Sequence, residues 1–224
     1  MKPAAAALPV STLWTGAGQP LAVAAIAHGA GADMRHPFMT GVAEGLAAGG
    51  LSVLRFNFPY IDAGRRMPDS PPVLLETWDA IMREAARRAE GLPLVAGGKS
   101  MGGRMASMLA AERGPGFPAK ALVFFGYPLH PPGRPDRLRD AHLPRIRIPM
   151  IFIQGSRDAL ARLDLMEALV ARLQPLASLH VVDGGDHSFR RRGAGSSDLE
   201  NGREMAQIAI EHIRGIIGPS TASA

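Results

Sequence analysis

The stretch LVAGGKSMGGRMASMLAAE (94–112) carries two overlapping chemical patterns. Gly98-Lys99-Ser100 is the ending of a phosphate-binding loop, whose lysine meets a nucleotide phosphate. Gly98-Lys99-Ser100-Met101-Gly102 also fits Gly-x-Ser-x-Gly, whose serine hydroxyl attacks a carbonyl carbon. The phosphate-binding pattern requires glycine where this chain has Pro93. LPLVAG (92–97) also reads as a strand, which leaves no loop long enough to wrap a phosphate. The serine pattern needs a sharp strand-turn-helix, with small residues two positions either side of the serine because backbones crowd there. Gly98 and Gly102 meet that need, and Gly97 and Gly103 add room.

Alone, this pattern is weak. With 26 glycines and 12 serines in 224 residues, chance supplies about 0.16 matches, so partner residues must decide. The order expected after the serine is an acid, then a histidine. Asp158 follows the apolar run MIFIQG (150–155), and His187 follows SLHVVDG (178–184). Ser100, Asp158 and His187 thus fall beyond three strand ends in the required order, and form the expected catalytic triad. Asp183 and Asp186 lie too near His187 in sequence for a side-on approach to its ring. Asp62, Asp69, Glu76 and Asp79 belong to earlier elements. The oxyanion donors are expected to be the amides of Met101, next after the serine, and Ala30, in the glycine-rich loop Ala27-His28-Gly29-Ala30-Gly31, with Gly29 as the alternative. His28 reads as a structural residue of that loop. Lys99 is expected to diverge from the nucleophile towards a surface or helix end. The sharper alternative is a pocket charge for an anionic substrate.

The elements that must position these residues alternate along the chain. Strand-like runs at 21–27, 51–56, 92–97, 119–127, 150–155 and 178–184 are separated by helical patterns, the last of them DLENGREMAQIAIEHIRGII. Near-continuous apolar strands between amphipathic helices predict an α/β fold, with a mostly parallel sheet covered on both faces. Ligands bind beyond the carboxyl ends of such strands. The loop NFPYIDAGRRMPDSPP and the segment 129–149 should therefore border the cleft, with Pro59, Tyr60, Tyr127, His130 and Phe189 as candidate lining residues. Arg65 and Arg66 read as solvated. About twenty proline-rich residues at 129–149 are too few for a cap with its own core. Their His130, Asp136, Asp140 and His142 match no usual metal spacing, so no metal is expected.

The length fits one α/β domain over 1–218, followed by a frayed tail at 219–224. Hydrophobic residues at 46% argue against disorder, and the absence of cysteine excludes disulfides, a thiol nucleophile and thiolate metal sites. MKPAAAALPVSTLW lacks the apolar core of a secretory signal and reads as a loose N-terminus. No run suffices for a membrane span. The net charge of +5 comes from scattered arginines with only 5% aromatics, a solvated surface and not a nucleic-acid face. A cytoplasmic monomer or homodimer acting on a small molecule is expected, without nucleic acid or membrane partner.

The stretches AHGAGADMRHPFM, LRFNFPY with GRR behind it, GGKSMGGRMAS, GYPLHPPGRPDRLRDAHL, FIQGSRDAL and GGDHSF resemble the α/β-hydrolase superfamily. They are most similar to its small lid-less branch around dienelactone hydrolase, and to the predicted hydrolases related to testis-expressed protein 30. The resemblance spans residues 27–189. It implies an α/β-hydrolase fold of about seven strands, one short of the eight usual in the family, without a cap domain. The triad itself predicts a serine esterase needing no cofactor. An interaction protein on the same fold, with little turnover, is the alternative reading.

Overall fold

The computed structural model describes residues 10–218. The elements are β1 (Thr12–Thr15), β2 (Ala22–Ala27), α1 (Pro37–Ala48), β3 (Leu51–Phe56), α2 (Pro59–Asp62), α3 (Pro71–Ala89), β4 (Leu94–Lys99), α4 (Met101–Arg113), β5 (Ala121–Phe125), β6 (Met150–Gly155), α5 (Leu163–Leu173), β7 (Ala177–Val182) and α6 (Asp198–Ile217). The strands form one sheet in the order β1-β3-β2-β4-β5-β6-β7. Only β1 runs antiparallel to its neighbour. This is the α/β-hydrolase fold.

Residues 12–15 correct one expectation. They do not trail loosely but pair with β3, Thr12 opposite Phe56 and Thr15 opposite Val53. The backbone of Asn57 also donates to Ser11 O at 3.0 Å. Without this short strand, β3 would leave its backbone groups unpaired at a sheet edge. The rest of that N-terminal stretch and the tail at 219–224 lie outside the described residues.

β2, β3, β5 and β6 are buried along their whole length, and β4 up to Lys99, because both faces are covered. Side chains alternate between the two sides. Val23, Ala25 and Ala27 of β2 join the core under α3, α4 and α5, while Ala22, Ala24 and Ile26 join that under α1 and α6. The connection from β2 leads to β3 on one side, and that from β4 leads to β5 on the other. The chain therefore reverses direction between the neighbouring strands β2 and β4, and such a switch point opens a crevice at the carboxyl ends. Ser100 stands there.

No cap covers this crevice. The chain between β5 and β6 holds one short 3-10 turn at Leu143–Arg145, and folds back onto the body. The Tyr127 hydroxyl donates to Arg139 O at 2.8 Å, and His142 Nε2 lies 2.7 Å from Ser107 Oγ on α4. Among the described residues, no helix is long and apolar enough to cross a membrane.

Helices α1 and α6 cross with almost no space between them. A Cβ on Gly41 would stand 2.1 Å from Leu199 O, and one on Gly45 2.6 Å from the Ala206 Cβ. One on Gly202 would stand 2.3 Å from Phe38 O. Gly45→Val should therefore cost about 1–3 kcal/mol by overpacking, and lower the thermal midpoint by roughly 2–4 °C for each kcal/mol. Gly215→Ala, which meets nothing within 4 Å, should leave the midpoint unchanged or raise it. Thermal unfolding followed by circular dichroism checks both.

Candidate active site

Ser100 occupies the one-residue turn between β4 and α4, with φ 49° and ψ −116°. Positive φ is strained for a side-chain-bearing residue, and the surroundings must hold it. They do so by close approach. A Cβ on Gly98 would meet Ala27 O at 2.3 Å, and one on Gly102 would meet His28 O at 2.5 Å. The Ser100 amide donates to Phe125 O at 3.2 Å, and the buried Trp78 indole donates to Gly102 O at 3.1 Å. The turn is thus fixed from both neighbouring strands and from α3.

The sheet brings Ser100, His187 and Asp158 together. His187 Nε2 lies 2.9 Å from Ser100 Oγ, and its Nδ1 lies 2.7 Å from Asp158 Oδ2. An ionised carboxylate can only accept, so Nδ1 carries the proton and Nε2 is free to accept from the serine hydroxyl. The Asp158 side chain is fully buried. Its Oδ1 accepts from the Leu160 amide at 2.7 Å, and its Oδ2 also accepts from Gln154 Nε2. Gln154 Oε1 in turn accepts from the Tyr127 amide at 2.9 Å. Gln154 was missed in the sequence. Its signal was one polar residue at the end of the apolar strand MIFIQG. The neighbouring acids have other work: Asp186 Oδ1 accepts the amides of Ser188 (2.8 Å) and Arg190 (2.9 Å), and Asp183 accepts from Ser156 Oγ at 3.3 Å.

The loop after β2 faces the serine across a cavity of about 210 Å³. It is lined by Gly29 to Ala32, His36, Phe38, Met39, Lys99, Ser100, His187, Ser188 and Asp198. His28 is buried and holds this loop. Its Nε2 accepts from the Phe58 amide at 3.2 Å, so Nδ1 is the donor to Gly29 O at 2.8 Å. Burial lowers its pKa and favours this neutral form. Further along, Arg55 Nη1 donates to Met34 O at 2.8 Å, and Asn57 Oδ1 accepts from the Met34 amide at 2.9 Å. Among the described residues, no backbone carbonyl takes the amide of Ala30 or of Met101, the first residue of α4.

The five residues expected to line the cleft do not line this cavity. Pro59 opens α2 and is half-buried. Tyr60 is buried against the His28 and Phe58 rings, and Tyr127 against Phe124 and Phe152. His130 is buried with Nε2 accepting from the Arg162 amide at 3.0 Å, and Phe189 is buried against Phe38 with ring centroids 5.7 Å apart. Their loops fold their apolar side chains inward, where burial stabilises them. Phe38 and Met39 line the cavity instead. Their signal was position: α1 begins at Pro37, shortly after the glycine-rich loop, which sets its first turn beside the site.

Lys99 also departs from expectation, since it lines the cavity. Nζ donates to His187 O at 2.6 Å and stands 5.6 Å from the centre of the Phe189 ring. Burial lowers its pKa to about 8, partly offset by the Asp158 and Asp186 carboxylates. The chain has three lysines, Lys2, Lys99 and Lys120. NMR of lysine labelled at the side-chain carbon next to the amine should therefore show one resonance titrating near pH 8, and Lys99→Met should remove it. A Lys99 resonance titrating near the ordinary lysine value would contradict this burial.

The comparisons agree with the fold. Residues 21–216 match the model of an alpha/beta hydrolase domain. A dienelactone hydrolase from Anabaena variabilis superposes with a TM-score of 0.73 at 24% identity, covering 92% of each chain. A lid-less α/β serine hydrolase from Xanthomonas campestris gives 0.72 at 17% identity, covering 95% of this chain and 91% of its own. An alpha-beta serine hydrolase homologue from Coxiella burnetii gives 0.70 at 18% identity, covering 89% and 91%. At these identities the solved structures establish a shared fold, and the domain match over most of the length establishes the family: the chain belongs to the alpha/beta hydrolases.

Proposed function

We propose that the chain is a serine hydrolase of small carboxylic esters or related acyl compounds. The observation that carries this reading is the continuous hydrogen-bond chain Ser100 Oγ to His187 to Asp158, with its serine on a strained turn at the wall of a cavity. His187 Nε2 takes the hydroxyl proton as Oγ attacks the acyl carbon. Asp158, buried and accepting from three donors, holds the ring and stabilises its cationic form. The amides of Met101 and Ala30 receive the oxyanion, helped by the positive end of α4. His187 then gives its proton to the leaving alcohol, and water cleaves the acyl-enzyme by the same steps reversed. A cavity of about 210 Å³ beside Ser100 suits a short acyl group.

A fluorophosphonate probe should label the wild type, and Ser100→Ala should abolish labelling. Asp158→Asn should leave the fold intact and lower kcat on a reactive short-chain ester by about 10⁴-fold. Folded wild-type protein that takes no label would favour the interaction-protein reading and overturn this one.

A further inference from the structure

Lys99 has no part in the proton transfers just described, yet it reaches the same cavity as Ser100. An ammonium carries three donors, and here one goes to His187 O. The Phe189 ring beside it is a weak partner. Among the described residues no carboxylate forms an ion pair with Nζ. Asp158 and Asp186, the acids that act on it electrostatically, spend their oxygens on His187, Gln154 and nearby amides. Asp198, the one carboxylate among the described cavity-lining residues, is held by Arg190 through bonds of 2.9 and 2.8 Å. Lys99 therefore brings to the wall of this cavity a cation with unused donors and no carboxylate ion-paired to it. Burying such a group is costly unless an anion completes it.

The position of that cation restricts the anion. Lys99 and Ser100 line the same cavity of about 210 Å³, so an anionic group on Nζ and an acyl carbon on Oγ fit there together only on a compact acyl group. Phe38 and Met39 supply apolar walls that suit a few methylenes. One ammonium matches one carboxylate.

Resting on the serine-hydrolase reading of the site, we propose that Lys99 selects substrates whose short acyl chain ends in a carboxylate, as in the half-esters of small dicarboxylic acids. Ser100 Oγ bonds to the ester carbon and the alcohol leaves with the proton held by His187. Water then releases the free dicarboxylate. Lys99 is a specificity residue: it binds the distal carboxylate and takes no proton in the reaction.

Monomethyl glutarate and dimethyl glutarate test this, because they differ by one methyl group and one charge. Wild-type kcat/KM should favour the monomethyl ester by roughly ten- to a hundredfold, chiefly through KM. In Lys99→Met that preference should vanish. The ratio of the two esters is the readout, because loss of the bond to His187 O would slow both alike. A preference that is absent from the wild type, or that survives in Lys99→Met, overturns the inference while leaving fluorophosphonate labelling of Ser100 untouched. A binding measurement stands apart from turnover. In Ser100→Ala protein, glutarate should shift the Lys99 side-chain resonance, and dimethyl glutarate should not. An unmoved resonance at saturating glutarate overturns the inference even if no ester is hydrolysed.

Discussion

The whole site depends on how closely three pieces of backbone approach one another. The β4–α4 turn sits directly on the end of β2, with Gly98 and Gly102 against the carbonyls of Ala27 and His28. A side chain at either glycine would push the two strands apart. That contact fixes the strained conformation of Ser100 and sets the first turn of α4 facing the loop after β2. Strain of this kind persists only where surrounding structure over-determines it, and here β2, β5 and α3 all contribute bonds or contacts.

A second regularity concerns the polar residues at the carboxyl ends of otherwise apolar strands. Arg55 and Asn57, at the end of β3, grip both backbone groups of Met34 in the neighbouring loop. Gln154, at the end of β6, joins the Tyr127 amide to Asp158. Each is buried, and each commits at least one hydrogen-bonding group to loop backbone. A buried polar group is tolerable when bonded and costly when not, so these residues leave their loops few alternative positions. The rigidity of the sheet reaches the candidate catalytic groups through them. Lys99 extends the pattern from β4, through its bond to the carbonyl of His187.

Much of the fold was legible from the residues. The alternation of apolar runs with helical periods placed six strands and the main helices, because burial on both faces leaves a continuous apolar signature. β1 escaped notice because four half-exposed residues pairing along one edge carry no such signature. Ser100, Asp158 and His187 were legible because backbone geometry constrains them locally. The serine needs small neighbours, and the acid and histidine need positions just beyond strand ends.

The cavity walls were not legible, and the reason is physical. Whether an aromatic loop residue faces a cleft or the core depends on which neighbours offer it a better surface, and those neighbours are remote in sequence. Tyr60 finds His28 and Phe58, Tyr127 finds Phe124 and Phe152, and Phe189 finds Phe38. The same holds for Lys99, whose ammonium is placed by a carbonyl 88 positions away. The sequence by itself determined six of the seven strands and the order of the candidate catalytic groups along them, since periodicity and turn chemistry act over a few residues. Only the tertiary structure decided which side chains surround those groups and what charge faces them. Packing and desolvation are settled between segments that meet only once the chain has folded.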